Sequence, residues 1–202
     1  MSGTPRLRTA AALTAAAAAL TLAGCGSTAS GGSGGSGDAQ AGFVIGKGGL
    51  DTVPLASRKA APAIGGKDLE GKPVTLSDYQ GKIVVVNIWG SWCSPCRAEA
   101  KGLEQAYEKY QGQGVQFLGI NTRDTDPTNA KRFEDVNGIQ YPSIYDPDGT
   151  QILKFPKGSL NPQSIPTTMV IDRQGRVAAR AMKGLTPDEL DQLIAPVVAE
   201  QP

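Results

Sequence analysis

The chain has no histidine and only three cysteines, Cys25, Cys93 and Cys96. A zinc site takes about four ligands, mostly cysteine and histidine, so no metal ligand is expected here, and the residues call for no cofactor. A charge of one sign is missing as well, with 20 lysines and arginines against 19 aspartates and glutamates. Nucleic-acid binding relies on phosphate neutralisation by basic side chains, so a near-neutral chain is not expected to bind nucleic acid. Nor does the uncharged apolar run at 10–23 reach the roughly 20 residues of an ordinary membrane-spanning helix. With Arg6 and Arg8 just ahead of it, that run reads instead as the apolar core of a secretory signal.

The run ends in Leu22-Ala23-Gly24-Cys25, which resembles the lipobox of bacterial lipoproteins. That resemblance implies cleavage before Cys25, lipidation of its sulfur, and anchoring on the extracytoplasmic face of the cell membrane. Stable attachment takes more than one acyl chain, and the lipid would supply it. Removal of residues 1–24 leaves 18 basic against 19 acidic residues, so attachment would owe nothing to a basic patch. The remaining cysteines are then an even pair in an exported protein, where disulfides persist. Residues 25–61 are expected to be a lipid-anchored linker, rich in glycine and serine up to about Gly42, with a reach of roughly 20 to 25 Å for that stretch. Residues 42–61 are expected to be mostly irregular, and a folded domain spans 62–202.

Within that domain, residues 65–76 read as a hairpin turning at Glu70-Gly71-Lys72. Residues 83–89 are almost continuously apolar and β-branched, the pattern of a central strand covered on both faces. From 94 to 110, Cys96, Ala100, Leu103, Tyr107 and Tyr110 recur at helical spacing. A second strand follows at 115–121. Asp126-Pro127 caps a second helix with Ala130 and Phe133 inward. Strands at 167–172 and 176–183 pair antiparallel through Arg173-Gln174-Gly175. Thr186-Pro187-Asp188-Glu189 forms a capping box ahead of a last helix, which Pro196 is expected to kink or end. The order implies an α/β fold, a mixed sheet with helices on both faces and an N-terminal β-hairpin.

Chemistry is concentrated in Trp92-Cys93-Ser94-Pro95-Cys96, where the central strand gives way to a helix. Cysteines three apart on a first helical turn share a face and lie close enough to bridge. The helix N-terminus favours a thiolate at Cys93, making it the accessible nucleophile, with Cys96 beneath it to resolve the exchange. A purely structural disulfide is the bland alternative, but so small a loop removes little unfolded-state entropy. Glu99 lies on the wheel at the edge of the apolar stripe, where partial burial would raise its pKa and let it relay a proton to or from Cys96.

The segments from Asn87 to Glu99 and Ile165-Pro166-Thr167-Thr168 resemble the thioredoxin superfamily, in its TlpA-like or ResA-like extracytoplasmic branch, over residues 62–198. The resemblance implies a thioredoxin-like fold and a thiol-disulfide oxidoreductase that reduces or oxidises disulfides of extracytoplasmic proteins. It further implies a membrane electron donor and a part in cytochrome c maturation. Pro166 would be cis beside the cysteines, Ile165 would offer main-chain hydrogen bonds to a bound peptide, and Trp92 would border the same groove. Many thioredoxins carry a buried aspartate where this chain has Asn87, which shifts proton handling toward Glu99. A peroxiredoxin-like thiol peroxidase is the alternative on this scaffold, but Gly90 stands where such enzymes place threonine or serine. A copper chaperone or plain binding lipoprotein is the non-catalytic alternative, and the usual added histidine is absent.

Overall fold

A computed structural model describes residues 41–200; the signal segment, Cys25 and most of the linker lie outside the described residues. Six strands form one mixed sheet, in the order β1 (Leu50–Thr52), β8 (Val177–Ala181), β7 (Thr167–Ile171), β4 (Ile83–Trp89), β5 (Val115–Thr122) and β6 (Ser143–Asp146). The pairs β4–β5 and β5–β6 are parallel, and β4–β7, β7–β8 and β1–β8 are antiparallel. All seven residues of β4 are buried, which matches its β-branched run and its place inside the sheet. A separate hairpin of β2 (Gly65–Lys67) and β3 (Pro73–Thr75) turns where expected. Asp68 Oδ1 accepts from the backbone N–H groups of Glu70 and Lys72, and Gly71 takes φ 81°.

Three α-helices follow the expected caps: α1 (Ser94–Tyr110), α2 (Pro127–Asn137) and α3 (Pro187–Val198). Asp126 accepts from Thr128 N at the start of α2, and Thr186 with Glu189 closes the capping box of α3. The latter helix runs on past Pro196 to Val198. Pro196 sits on its exposed face, where water can take the carbonyl that loses a partner.

Alternate residues of β4 divide the core. Ile83 and Val85 pack with Leu103, Ala106, Leu190 and Ile194 of α1 and α3, and Trp89, on the same face, packs with Ala130 and Phe133 of α2. Two successive right-handed crossovers in one direction place α1 and α2 on that side. Val84, Val86 and Ile88 face Ile64, Val74, Ile152 and Phe155. The second face is therefore covered by the hairpin and by 3-10 turns at Leu76–Tyr79 and Ile152–Lys154; the helices on that side of the sheet are these short turns.

Two strands escape the sequence reading. Residues 42–61, expected to be irregular, contain β1 and bury Phe43 and Val53 in the second core. β1 owes its place to tertiary contacts: it pairs with β8, and Arg180 of β8 donates to Asp51 at 3.1 Å. β6 is four residues long and is held by β5 and by contacts to the hairpin, where Leu69 N donates to Ser143 O. Its short, partly polar sequence shows no period of its own. No helix among the described residues is long and apolar enough to cross a membrane.

Candidate active site

The central strand ends at Trp89, and the chain turns through Gly90 so that Cys93 N donates to Gly90 O at 3.1 Å. Cys93 is the N-cap of α1, with extended backbone, and Pro95 occupies the first turn, where a missing N–H leaves no bond unmade. The two cysteines form a disulfide with Cα atoms 5.3 Å apart. Cys96 N donates to Cys93 Sγ at 3.2 Å, so the sulfur already lies on the amide end of the helix, where a thiolate is favoured.

The expected exposure of Cys93 is corrected. It is 4% exposed and Cys96 2%, because Cys93 packs in a cluster with Trp89, Cys96 and Ala100, and Ile165 leans against it. Ile165 and Pro166 are joined by a cis peptide bond, and the Ile165 carbonyl oxygen lies 3.7 Å from Cys93 Sγ. That oxygen touches a disulfide sulfur with no proton to give, so the contact is a van der Waals one. Trp92 is 51% exposed beside the pair, with the Arg123 guanidinium 5.9 Å from its ring centre.

Glu99 is more deeply buried than its place on the wheel suggested. It is 3% exposed, accepting from Asn87 Nδ2 at 3.0 Å and from Leu185 N at 2.9 Å. Burial pushes its carboxyl up to about 7, while those two hydrogen bonds pull the other way. Asn87 also reaches Thr168 Oγ1 at 3.2 Å. An amide thus stands in the core strand and donates to the nearby carboxyl, tying β4, β7 and α1 together behind Cys96.

Residues that the sequence did not single out support this frame. Asp124, buried after β5, accepts from Ser91 N at 2.8 Å, Ser91 Oγ at 2.5 Å and Asn121 Nδ2 at 2.7 Å, fixing the loop ahead of Cys93. Thirty-three residues separate Ser91 from Asp124, so no local pattern could have exposed the link. Trp89 Nε1 donates to Ser143 Oγ at 3.1 Å across Gly119, where an added Cβ would lie 2.0 Å from that oxygen. Gly119→Ala is expected to cost about 1–3 kcal/mol by overpacking, measured by chemical denaturation; an unchanged midpoint would contradict this close approach. Among the described residues, no three histidine, cysteine, aspartate or glutamate side chains gather to hold a metal ion.

Comparison with known proteins falls on the same region. The family model described as AhpC/TSA matches residues 58–180. The chain is 32% identical over 141 residues to the thiol-disulfide oxidoreductase ResA of Bacillus thuringiensis, covering 70% of this chain and 78% of that protein. It is 32% identical over 142 residues, with the same coverage, to the ResA of Geobacillus thermodenitrificans. Among solved structures, a DsbF homologue from Corynebacterium diphtheriae is 36% identical with TM-score 0.69, covering 76% of this chain and 96% of that one. A secreted thiol-disulfide isomerase from Corynebacterium glutamicum is 35% identical with TM-score 0.71, covering 78% and 96%.

Proposed function

Because this chain belongs to the AhpC/TSA family and is a thiol-disulfide oxidoreductase of thioredoxin-like fold, we propose that it is an extracytoplasmic protein-disulfide reductase held to the membrane through Cys25. The observation that carries the reading is the Cys93–Cys96 disulfide at the amide end of α1 with the Ile165 carbonyl beside its first sulfur. Cys25 would bear the lipid, residues 1–24 would be a signal, and the following glycine- and serine-rich stretch would be the tether. The secreted relative from Corynebacterium supports the extracytoplasmic side.

In this cycle the reduced Cys93 thiolate attacks a disulfide sulfur of a partner protein, and the partner's other sulfur leaves as a thiolate. Cys96 then attacks Cys93 Sγ, losing its proton; the mixed disulfide breaks, the partner departs with both sulfurs reduced, and the Cys93–Cys96 bond forms. Two electrons pass to the partner, and a membrane donor of dithiol equivalents restores the pair. Ile165, Pro166 and Trp92 would line the docking groove, Ile165 through its main chain, and partner docking must also open the cover over Cys93. Cytochrome c maturation is the process this reductase would serve. The reduction potential tests the direction: a value near that of cytosolic thioredoxin supports the reductase, and one near periplasmic oxidants overturns it.

Glu99 would be the base for Cys96. Neutral below about 7, it takes no proton; ionised above, it accepts the one that Cys96 gives up. Glu99→Gln is expected to slow resolution of the mixed disulfide at pH 8 by about a hundredfold and to shrink its rise with pH, both read by rapid quench. The same burial sets a sign for stability. The folded protein keeps a proton that the unfolded chain releases from 4.5 upward, so stability falls as pH rises between 4.5 and about 7, and Glu99→Gln flattens that fall.

The peroxidase alternative finds no side chain at the position it needs, since a Cβ on Gly90 would lie 2.6 Å from Trp92 Nε1. A hydrogen peroxide consumption assay separates the two.

A further inference from the structure

Behind the disulfide, between α1, α2 and β4, lies a cavity of about 10 Å³ lined by Asn87, Trp89, Cys96, Glu134 and Tyr141 among others. That is room for one water at most. Glu134 is not part of the exchange cycle, yet its Oε1 is buried with no hydrogen-bond partner. It stands on α2, directly after Phe133, whose ring stacks on Trp89 at 4.8 Å. Leaving a polar atom in such a place is costly, and a carboxylate costs more than a carboxyl.

Accepting the thiol-disulfide reading, we propose that Glu134 is a positioning residue for Cys96: across this cavity, its charge state sets how tightly the buried sulfur holds its proton. When Glu134 is neutral, the cavity carries no charge from α2 and a Cys96 thiolate is tolerated. When it is ionised, a negative charge in a poorly solvated space opposes a second one on the sulfur. Each opening of the disulfide would place an electron pair on Cys96 against this background.

The groups around Glu134 favour a switch in the neutral range. Burial is the main cause holding its carboxyl at about 7, and the Ser143 hydroxyl opposes it. Asp135 on α2 and Asp68 and Glu70 on the β2–β3 turn add negative charge, the last partly offset by Lys131 at 3.1 Å. From the β6 side comes Tyr141, whose phenol is raised by burial and by Glu134, Glu104 and Glu99. From α1 comes Glu104, held by Gln140, and from β4 the neutral Asn87 and Trp89.

The test follows the Cys96 thiol in the reduced full-length protein by the 13C chemical shift of labelled cysteine Cβ, from pH 5 to 11. In the unaltered protein the Cys96 signal is expected to show a small step near pH 7 ahead of its main transition. In Glu134→Gln the step shrinks to the part that Glu99, also near 7, contributes, and the main midpoint falls by about one pH unit, with thermal stability retained because glutamine keeps the contact to Ser143. Glu134→Leu gives the same midpoint. An unchanged Cys96 titration in both variants, or a change in Glu134→Leu alone, would overturn the inference by making Glu134 a packing residue. Neither result touches the exchange reading, which fails separately if Cys93→Ser still reduces partner disulfides at pH 7.

Discussion

Cys93→Ser is expected to reduce disulfide exchange with a protein substrate to the uncatalysed background, a loss of more than roughly a thousandfold, whereas Cys96→Ser is expected to halt the cycle one step later as an accumulated mixed disulfide. The asymmetry comes from the backbone. Both cysteines are buried, but Cys93 alone is the N-cap, receiving the Cys96 amide at 3.2 Å and lying 3.7 Å from the Ile165 carbonyl. A thiolate there is stabilised by the free amides of the first turn, while one on Cys96 would face the inner cavity that Asn87 and Glu134 also line. A serine hydroxyl at 93 has neither the acidity nor the leaving ability that exchange needs. Non-reducing electrophoresis and mass spectrometry read the result: equal trapping in the two variants, or residual turnover in Cys93→Ser, would defeat the assignment of roles.

Arg180→Leu is expected to cost about 3–5 kcal/mol of stability. Arg180 is the largest fully buried side chain among the described residues, 1% exposed. Its Nε donates to Asp51 at 3.1 Å, its Nη1 reaches the carbonyls of Gly158 and Ser159 at 2.6 and 2.8 Å, and its Cζ lies 3.9 Å from the centre of the Phe43 ring. Leucine would leave a buried carboxylate and two inward carbonyls without the guanidinium that meets them. Removing one partner of a buried pair is far more destabilising than replacing both with apolar groups, so the double variant Arg180→Leu/Asp51→Leu should recover part of the loss. Equilibrium denaturation measures both, and a single-variant cost below about 1 kcal/mol would contradict this account. Activity should fall as well, because the 158–159 carbonyls anchor the loop that leads to Ile165 and Pro166.

Local rules accounted for much of the frame. The β-branched run of β4, the Asp126-Pro127 and Thr186–Glu189 caps, and the stripe from Cys96 to Tyr110 each pointed to the element observed, because each is written in adjacent residues. β1 and β6 escaped because three or four residues carry no usable period, and their pairing depends on partners far along the chain. The depth of Glu99 was underestimated for a related reason. A helical wheel gives an angle, whereas burial depends on what packs over the residue, here Asn87 and the 184–185 backbone.

The amino-acid order by itself pointed to the reactive chemistry: two thiols one helical turn apart, opened by a strand and a proline, in a chain with no histidine to divert them to metal. Spacing along a helix is a local property, so it survives whatever the rest of the chain does. Only the tertiary structure decided how those sulfurs are housed. It covers Cys93 with the Ile165 segment, sets Glu99 on Asn87, places Glu134 and Cys96 on the walls of one cavity, and ties Asp51 to Arg180 across 129 residues. Desolvation and long-range pairing arise from packing between distant segments, and no window of neighbouring residues contains them.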